Sequence, residues 1–484
     1  MRSAGPATKP HRMPLLHRLT LPAALATAVL VALTSSATHA GQVLPGEIIV
    51  VGPSQPIEDW IVDSTGTLRI VPGGQATSVV ASSGGAAVYL NGAEISGSPA
   101  STLFLVGSFA NVRNSTIAGG SGAALSTGAL QVANPQTSLV SISDSTLTGA
   151  GLGVHIAGGG LVLLDSTNVA GSGSSGIGID VSTGRAQVEN LSVVTGDSNG
   201  ALLSLVTAGV PSQTATSLAV DNARIEGLAG SAIVVQQRSE AMTADIDIRN
   251  GAQVVGGNNT LLDVSGGAVA NFNVDSSALS GNITNDATST TNVILGNNAS
   301  ITGVFGNVTS ATLAGGSRWQ LAGNSDVGML TLNGGSTIAL GDGASFNTLT
   351  VSGDYVGTGG TLLFNSVLGD DASASDKLIV GGSTSGQTTV AVNNVGGAGA
   401  QTVNGIQLIQ VGGASNGVFT LAGRAVGGQY EYFLHHGTAA APTDGNWYLR
   451  SELPAVPDPC LADPTLPQCR PVDPVDPVDP VDPV

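Results

Sequence analysis

A short pattern recurs seven times between Val112 and Gly281 and limits what this chain can fold into. It reads VRNSTIAG (Val112–Gly119), ISDSTLTG (Ile142–Gly149), LLDSTNVAG (Leu163–Gly171, with one residue more) and VENLSVVTG (Val188–Gly196). VDNARIEG (Val220–Gly227), IRNGAQVVG (Ile248–Gly256) and VDSSALSG (Val274–Gly281) follow. The common core is apolar, any, Asn/Asp (Ser in the last copy), a few small residues, apolar, any, Gly. Copies start roughly 21 to 32 residues apart, which marks a repeat architecture. Apolar and polar residues alternate with period two, as in SLVSISDSTL, and period two means strand. One copy cannot bury its own apolar side chains; stacked neighbours bury them in a continuous core. Asn and Asp suit a fixed turn because they tolerate left-handed backbone and bond to it. The repeat length fits one coil of a parallel β-helix, so the expected fold is an all-β solenoid. From Gly296 the pattern tightens, and the C-terminal coils of the same helix are expected there. Ile57, Trp60 and Ile61 are expected to cover the N-terminal coil, since repeat arrays need capped ends.

Composition agrees with many short strands and excludes other classes. The chain has 69 glycines, 42% hydrophobic, 10% charged and 3% aromatic residues, too apolar for disorder. Net charge is −18, and −22 without the first 40 residues, which hold Arg2, Lys9, Arg12 and Arg18 and no acid. A surface this acidic repels phosphate backbones, so no nucleic-acid partner is expected.

Residues 1–40 have the layout of a secretory signal peptide: a basic start, the apolar run LTLPAALATAVLVAL, then small residues ending in SSATHA. Cleavage is expected between Ala40 and Gly41, with export through the Sec pathway. Residues 41–360 hold the repeats. Residues 361–451 are richer in aromatics, with Tyr430, Tyr432, Trp447 and Tyr448, and contain Lys377, the only lysine outside the leader. This segment reads as a cap or folding nucleus. Residues 452–484 form a Pro/Asp-rich linker ending PVDPVDPVDPVDPV, expected to be a polyproline II spacer. Cys460 and Cys469, the only cysteines, are expected to close a small disulfide loop in an exported chain.

The order SDKLIVGG, GIQLIQVGG, VFTLAGRAVGGQYEYFLHHG and DGNWYLRS, with ASITG and ATLAGGSRWQLAGNSDVGMLTLNGGSTIAL upstream, resembles the C-terminal end of pertactin-like passengers of classical autotransporters. The likeness covers about Ala299 to Ser451, and the earlier repeats only in style. It implies a right-handed parallel β-helix with an autochaperone segment within Asp376–Arg450. That segment would carry Asp376, Lys377, Leu378, Gly405, Ile406, Phe419, Tyr430, Tyr432, Trp447, Tyr448, Leu449 and Arg450. It further implies display on the surface of a Gram-negative bacterium, or secretion from it, through an outer-membrane translocator β-barrel. The sequence given holds no barrel-like segments after Ser451. Truncation is the first expectation and a separately encoded barrel the second; a chain without a barrel would stay periplasmic.

A parallel β-helix can also be a polysaccharide lyase or hydrolase, and a glycosidase needs two carboxylates across a sugar. The acids are scattered. Asp144 and Asp165 read as turn residues. Asp221 and Asp275 fall one position earlier, in a freely variable slot. Asp180 and Asp263 are least explained. Asp370, Asp371 and Asp376 read as a solvated loop, with a weak calcium site as the alternative. His155 stands alone, and His435 and His436 point to opposite faces of a strand. GDSNG (Ser198) and GASNG (Ser415) fit G-x-S-x-G but lack the helix of a nucleophile elbow. No catalytic residue, metal or cofactor is expected. The leading function is a non-enzymatic adhesive stalk meeting host-cell, matrix or bacterial surfaces. A carbohydrate-active β-helix and a non-functional remnant are the alternatives.

Overall fold

The computed structural model describes residues 40–82, 84–97, 101–128, 137–205, 215–238 and 241–452. Among them every regular element is a strand, and from Gly41 onward the strands stack as a parallel β-helix. A typical coil has three strands, Leu139–Ser143, Thr146–Gly149 and Leu152–Ile156. The next coil repeats them as Gly160–Asp165, Asn168–Gly171 and Ile177–Val181. Pairing between coils is parallel and in register: Val140 opposes Val162, Leu147 opposes Val169 and Val154 opposes Ile179.

Register puts like residues above one another inside the solenoid. One inner column runs Ile70, Leu90, Val112, Ile142, Leu164, Val188, Val220 and Ile248, all almost fully buried. Each such side chain contributes about 1.5–3 kcal/mol on burial. Because side chains alternate between faces, a one-residue slip would turn the whole column to water, and this fixes the register.

The repeat motif is explained by its two corners. At the first, between the first and second strands, the backbone is left-handed at Asn114, Asp144, Ser166, Asn190, Asn222, Asn250 and Ser276, with φ between 47° and 57°. Side chains that tolerate this conformation recur there. The next position holds an inward hydroxyl in many coils. Ser115 Oγ accepts from Ala93 N at 3.1 Å and donates to Arg113 O at 2.6 Å. Ser145 Oγ serves Ser115 N and Ser143 O in the same way. A hydroxyl ladder thus satisfies backbone groups that the corner leaves unpaired. At the second corner, a Cβ on Gly149, Gly171, Gly196, Gly227 or Gly256 would overlap the backbone carbonyl of Leu152, Ile177, Asn199, Ser231 or Thr260 respectively. The motif glycine is required by this close approach.

Two sequence expectations need correction. In the third copy the left-handed corner residue is Ser166, not Asp165, whose partner in the next-lower coil is Ser143. That copy therefore starts at Leu164 and has no extra residue. Asp221 and Asp275 stand in a slot that varies along the stack, with Arg113, Ser143, Asp165, Glu189 and Arg249 at the same position of other copies, and both acids find partners there. Asp221 takes Arg249 at 2.9 Å and Asn250 at 2.7 Å from the next coil, and Asp275 takes Ser276 at 2.6 Å and also Asn297. At the N-terminal end Trp60 is buried with its ring against Gly41, but Ile57 is 57% exposed and covers nothing.

The coils tighten towards the C terminus, as the sequence suggests. Ser310 bonds Asn292, 18 residues earlier, and Ser317 bonds Ser336, 19 residues later. Trp319 fills the interior there, fully buried and stacked on Phe305 at 4.0 Å. Two long strands, Tyr355–Ser366 and Thr384–Asn394, then lie in register with each other.

Candidate functional site: the C-terminal closing unit

After Thr384–Asn394 antiparallel pairs join the parallel ones: Ile406–Val411 still pairs in parallel with Lys377–Val380, and Val418–Leu421 with Thr384–Asn394. Strand Ile406–Val411 pairs antiparallel with Trp447–Glu452, which pairs antiparallel with Tyr430–His436. Ala425–Gly427 joins the far side of Tyr430–His436, again antiparallel. A solenoid end exposes unpaired N–H and C=O groups and bare apolar side chains; an antiparallel sheet laid on it removes both.

Gly405 admits this sheet. Its φ is 106°, and a Cβ there would meet Leu449 O at 2.7 Å and Tyr448 Cβ at 2.9 Å. The following pair, Ile406 opposite Leu449, is buried. Aromatic rings link the sheet to the coil stack. Tyr355 stacks on Phe419 at 5.9 Å, and Phe419 meets the edge of Trp447 at 5.2 Å. His436 lies 4.9 Å from Trp447. Burial pushes the Tyr355 hydroxyl above the ordinary phenol range, and it hydrogen-bonds Thr388 Oγ1 at 2.7 Å.

Polar groups fix the rest. Tyr432 is fully buried; its hydroxyl donates to Gly369 O at 2.8 Å and accepts from Ala400 N at 3.0 Å. Tyr448 donates to Asp444 at 2.8 Å. Arg450 reaches the Gly437 carbonyl, and Arg424 forms a two-pronged pair with Glu431 at 2.7 and 3.0 Å. Leu378 is buried on the parallel strand Lys377–Val380, whereas the Lys377 side chain is exposed and only its backbone N–H bonds, to Asn347 O. Tyr430 is half-buried against the core.

The acids of this segment do not form one solvated loop. Asp376 is fully buried and accepts from Asn347 N (2.7 Å), Asn365 N (2.7 Å) and Asn365 Nδ2 (2.8 Å), tying the turns of two coils together. Asp371 accepts from the backbone N–H of Val403, Asn404 and Gly405 at 2.8–2.9 Å. Partial burial pushes its carboxyl up, but these three donors outweigh it and hold the group below the usual carboxylate range. Asp370 turns back to Ala372 N. The sequence showed the acids but not the partners of Asp371 and Asp376, because most of those partners are backbone groups far away in the sequence.

Elsewhere the unexplained acids find local explanations. Asp263 accepts from Thr284 Oγ1 at 2.8 Å. His155 and Asp180 oppose each other on adjacent coils, with His155 Nε2 4.0 Å from Asp180 and 3.2 Å from Ser182 Oγ. Both approaches use the same ring nitrogen, so the three groups do not form a nucleophile–base–acid relay. Asp180 Oδ1 has no hydrogen-bond partner. Burial holds its carboxyl above the ordinary range against the pull of His155 and Arg238. A raised acid favours the fold when protonated, so it stabilises below the unfolded carboxylate's pKa and costs stability as pH rises. Asp180→Asn should therefore stabilise the fold at neutral pH by about 1–3 kcal/mol, read from urea melts, and the gain should vanish near about pH 4. Ser198 lies in a bend before strand Asn199–Leu205 and Ser415 in an isolated parallel bridge with Thr384, neither followed by a helix, and Ser415 Oγ accepts from Trp447 Nε1. No group of three or more His, Cys, Asp or Glu able to hold a metal occurs among the described residues. The leader up to residue 39, Cys460, Cys469 and the tail aspartates lie outside the described residues, and the Ala40–Gly41 bond falls in the strand Ala40–Val43.

Stacked parallel coils closed by an aromatic antiparallel unit make a capped β-helix, and the chain is similar in sequence to autotransporter passengers. Residues 325–434 match the family model described as Autochaperone Domain Type 1. The match opens in strand Ser325–Asn333, well before Thr361, and ends in Tyr430–His436. An adhesin autotransporter, BmaC of Brucella suis biovar 1 (strain 1330), is 32% identical over 379 residues, covering 63% of this chain and 11% of the relative. The autotransporter adhesin AIDA-I of Escherichia coli is 44% identical over 109 residues, covering 22% of this chain and 8% of the relative. The chain thus spans about a tenth of the length of these relatives. The solved structure of the autotransporter UpaB from E. coli strain CFT073 is a distant neighbour: 15% identity, TM-score 0.46, 86% of this chain and all of that one.

Proposed function

We propose that this chain is an exported passenger that adheres to other surfaces without performing chemistry, and that its closing unit seeds the fold. The leader sends it through the Sec pathway, and an outer-membrane β-barrel passes it to the cell surface or beyond. The observation that carries the reading is the closing unit, where the autochaperone match overlaps aromatic residues that plug the end of the coil stack. Adhesion is supported by the likeness to the adhesins BmaC and AIDA-I. A rigid lateral face built from stacked strands offers many weak contacts rather than one enclosed pocket. Its partners are components of host cells, matrix or other bacteria.

The test couples two measurements on the purified full chain: retention on cultured cells and matrix-coated surfaces, and turnover on a panel of glycans. Retention without turnover is the expected result. Turnover abolished by a single Asp or Arg substitution would overturn it.

A further inference from the structure

Most aromatic rings of this protein face its interior or its closing unit, but one pair lies on the outside of the early coils. Tyr89 is 38% exposed and meets Phe109 of the next coil at 5.7 Å. On its other side the Arg69 guanidinium of the preceding coil lies 5.3 Å from the Tyr89 ring. These residues stand in register on one face, where Arg69 opposes Tyr89, and Phe109 opposes Leu139, itself 45% exposed. Beside them runs an open groove of about 580 Å³ floored by Gly85, Ala86, Ala87, Gly107 and Ser108. That volume falls within the roughly 300–1,000 Å³ of small-ligand sites.

Charge narrows the ligand. The chain carries 33 acids against 15 lysines and arginines, yet no carboxylate lines this groove. Among the described residues the Arg69 side chain has no ion pair and no hydrogen bond, and its guanidinium lies over the Tyr89 ring. A guanidinium stacked on an aromatic face keeps its N–H edge free, and that edge matches a carboxylate through two parallel hydrogen bonds. Aromatic rings beside it suit the C–H faces of a sugar, which are apolar while the ring edges carry hydroxyls.

We propose that the groove lined by Tyr89, Phe109 and Leu139, together with Arg69 stacked on Tyr89 outside that lining, binds a carboxylate-bearing oligosaccharide. Pyranose faces lie on Phe109 and Tyr89, and the sugar carboxylate meets Arg69. One guanidinium on an acidic molecule favours a sparsely charged chain, with acidic sugars set among neutral ones, over a densely sulfated one. The proposal rests on the adhesive reading above and names the chemistry that it recognises.

The experiment measures binding of the full chain to a hyaluronan oligosaccharide by calorimetry, with a neutral chitin oligosaccharide and heparin as comparisons. Hyaluronan should bind more tightly than either, and less tightly as salt is raised. Arg69→Gln and the double change Tyr89→Ala with Phe109→Ala should each weaken binding by roughly three- to tenfold. Arg69→Lys should lose part of the affinity, since a point charge replaces the fork. All these side chains point outward, so circular dichroism and melting should stay at parent values. Equal binding to all three sugars, tighter binding to heparin, or parent affinity in the double variant would overturn the proposal. Retention on cells with no hyaluronan binding would overturn the groove assignment and leave adhesion standing. Hyaluronan binding without retention on cells would support the groove and overturn adhesion.

Discussion

Without Asp376–Arg450, the upstream coils should refold slowly and stay open to protease. The reason lies in how a parallel solenoid must start. Each parallel pair joins residues about one coil apart, so loop-closure entropy is lost before any contact repays it. A first coil has no neighbour to pair with and cannot bury its own side chains. The closing unit escapes both difficulties. Tyr430–His436 and Trp447–Glu452 pair antiparallel through a short connection, and hairpins of this kind form on a timescale of roughly microseconds. Leu449 and Tyr432 are fully buried and Phe419 nearly so, giving this small sheet an apolar core. The exposed edge it presents to Thr384–Asn394 and Lys377–Val380 is then a template for the next coil. Deletion removes the template and uncovers Leu362 and Phe364. Trp60 and Trp319 remain in the shortened chain, so tryptophan fluorescence can follow its refolding. A shortened chain that refolds at the parent rate and resists protease equally would remove the seeding role and leave only the fold.

Asp376→Ala should cost about 3–5 kcal/mol, since each buried donor left without an acceptor costs about 1–3 kcal/mol. The carboxylate holds three donors, Asn347 N, Asn365 N and Asn365 Nδ2, and Asp376 N in turn donates to Asn365 O. Alanine would leave all three donors buried without their acceptor. Asp376→Asn keeps the shape and one acceptor oxygen, so its loss should be smaller. Urea unfolding measures both, and hydrogen exchange at Asn347 and Asn365 locates the damage. If Asp376→Ala unfolds at the parent midpoint, the buried cluster does not join the two coils energetically.

Much of the fold was readable because its causes are local. Period two gave strands, and recurrence at one coil's length gave the stack. The Asn/Asp slot marked the left-handed corner at Asn114, Asp144 and Asn222. Where the reading slipped, a residue type stood in for a conformation. Asp165 looked like the corner residue, but Ser166 adopts it, since serine also tolerates a left-handed φ. The seven glycines of the motif were seen, yet their reason was not. It is the carbonyl of the third strand, which passes where a Cβ would be at Gly149 and its successors.

The site divides the same way. The sequence alone determined a repetitive all-β core, an acidic surface and an aromatic terminal unit with a family resemblance. These depend on residue type and spacing. Only the tertiary structure decided that Ile406–Val411, Tyr430–His436 and Trp447–Glu452 run antiparallel. Strand direction depends on which distant segment supplies the hydrogen bonds, and period two is the same in both directions. Burial of Asp376 was likewise invisible, because a carboxylate in the sequence is equally suited to water or to three backbone and amide donors. The outward pair Tyr89 and Phe109 belongs here too. Which face an aromatic residue takes follows from its register, and register is fixed only when neighbouring coils close on each other.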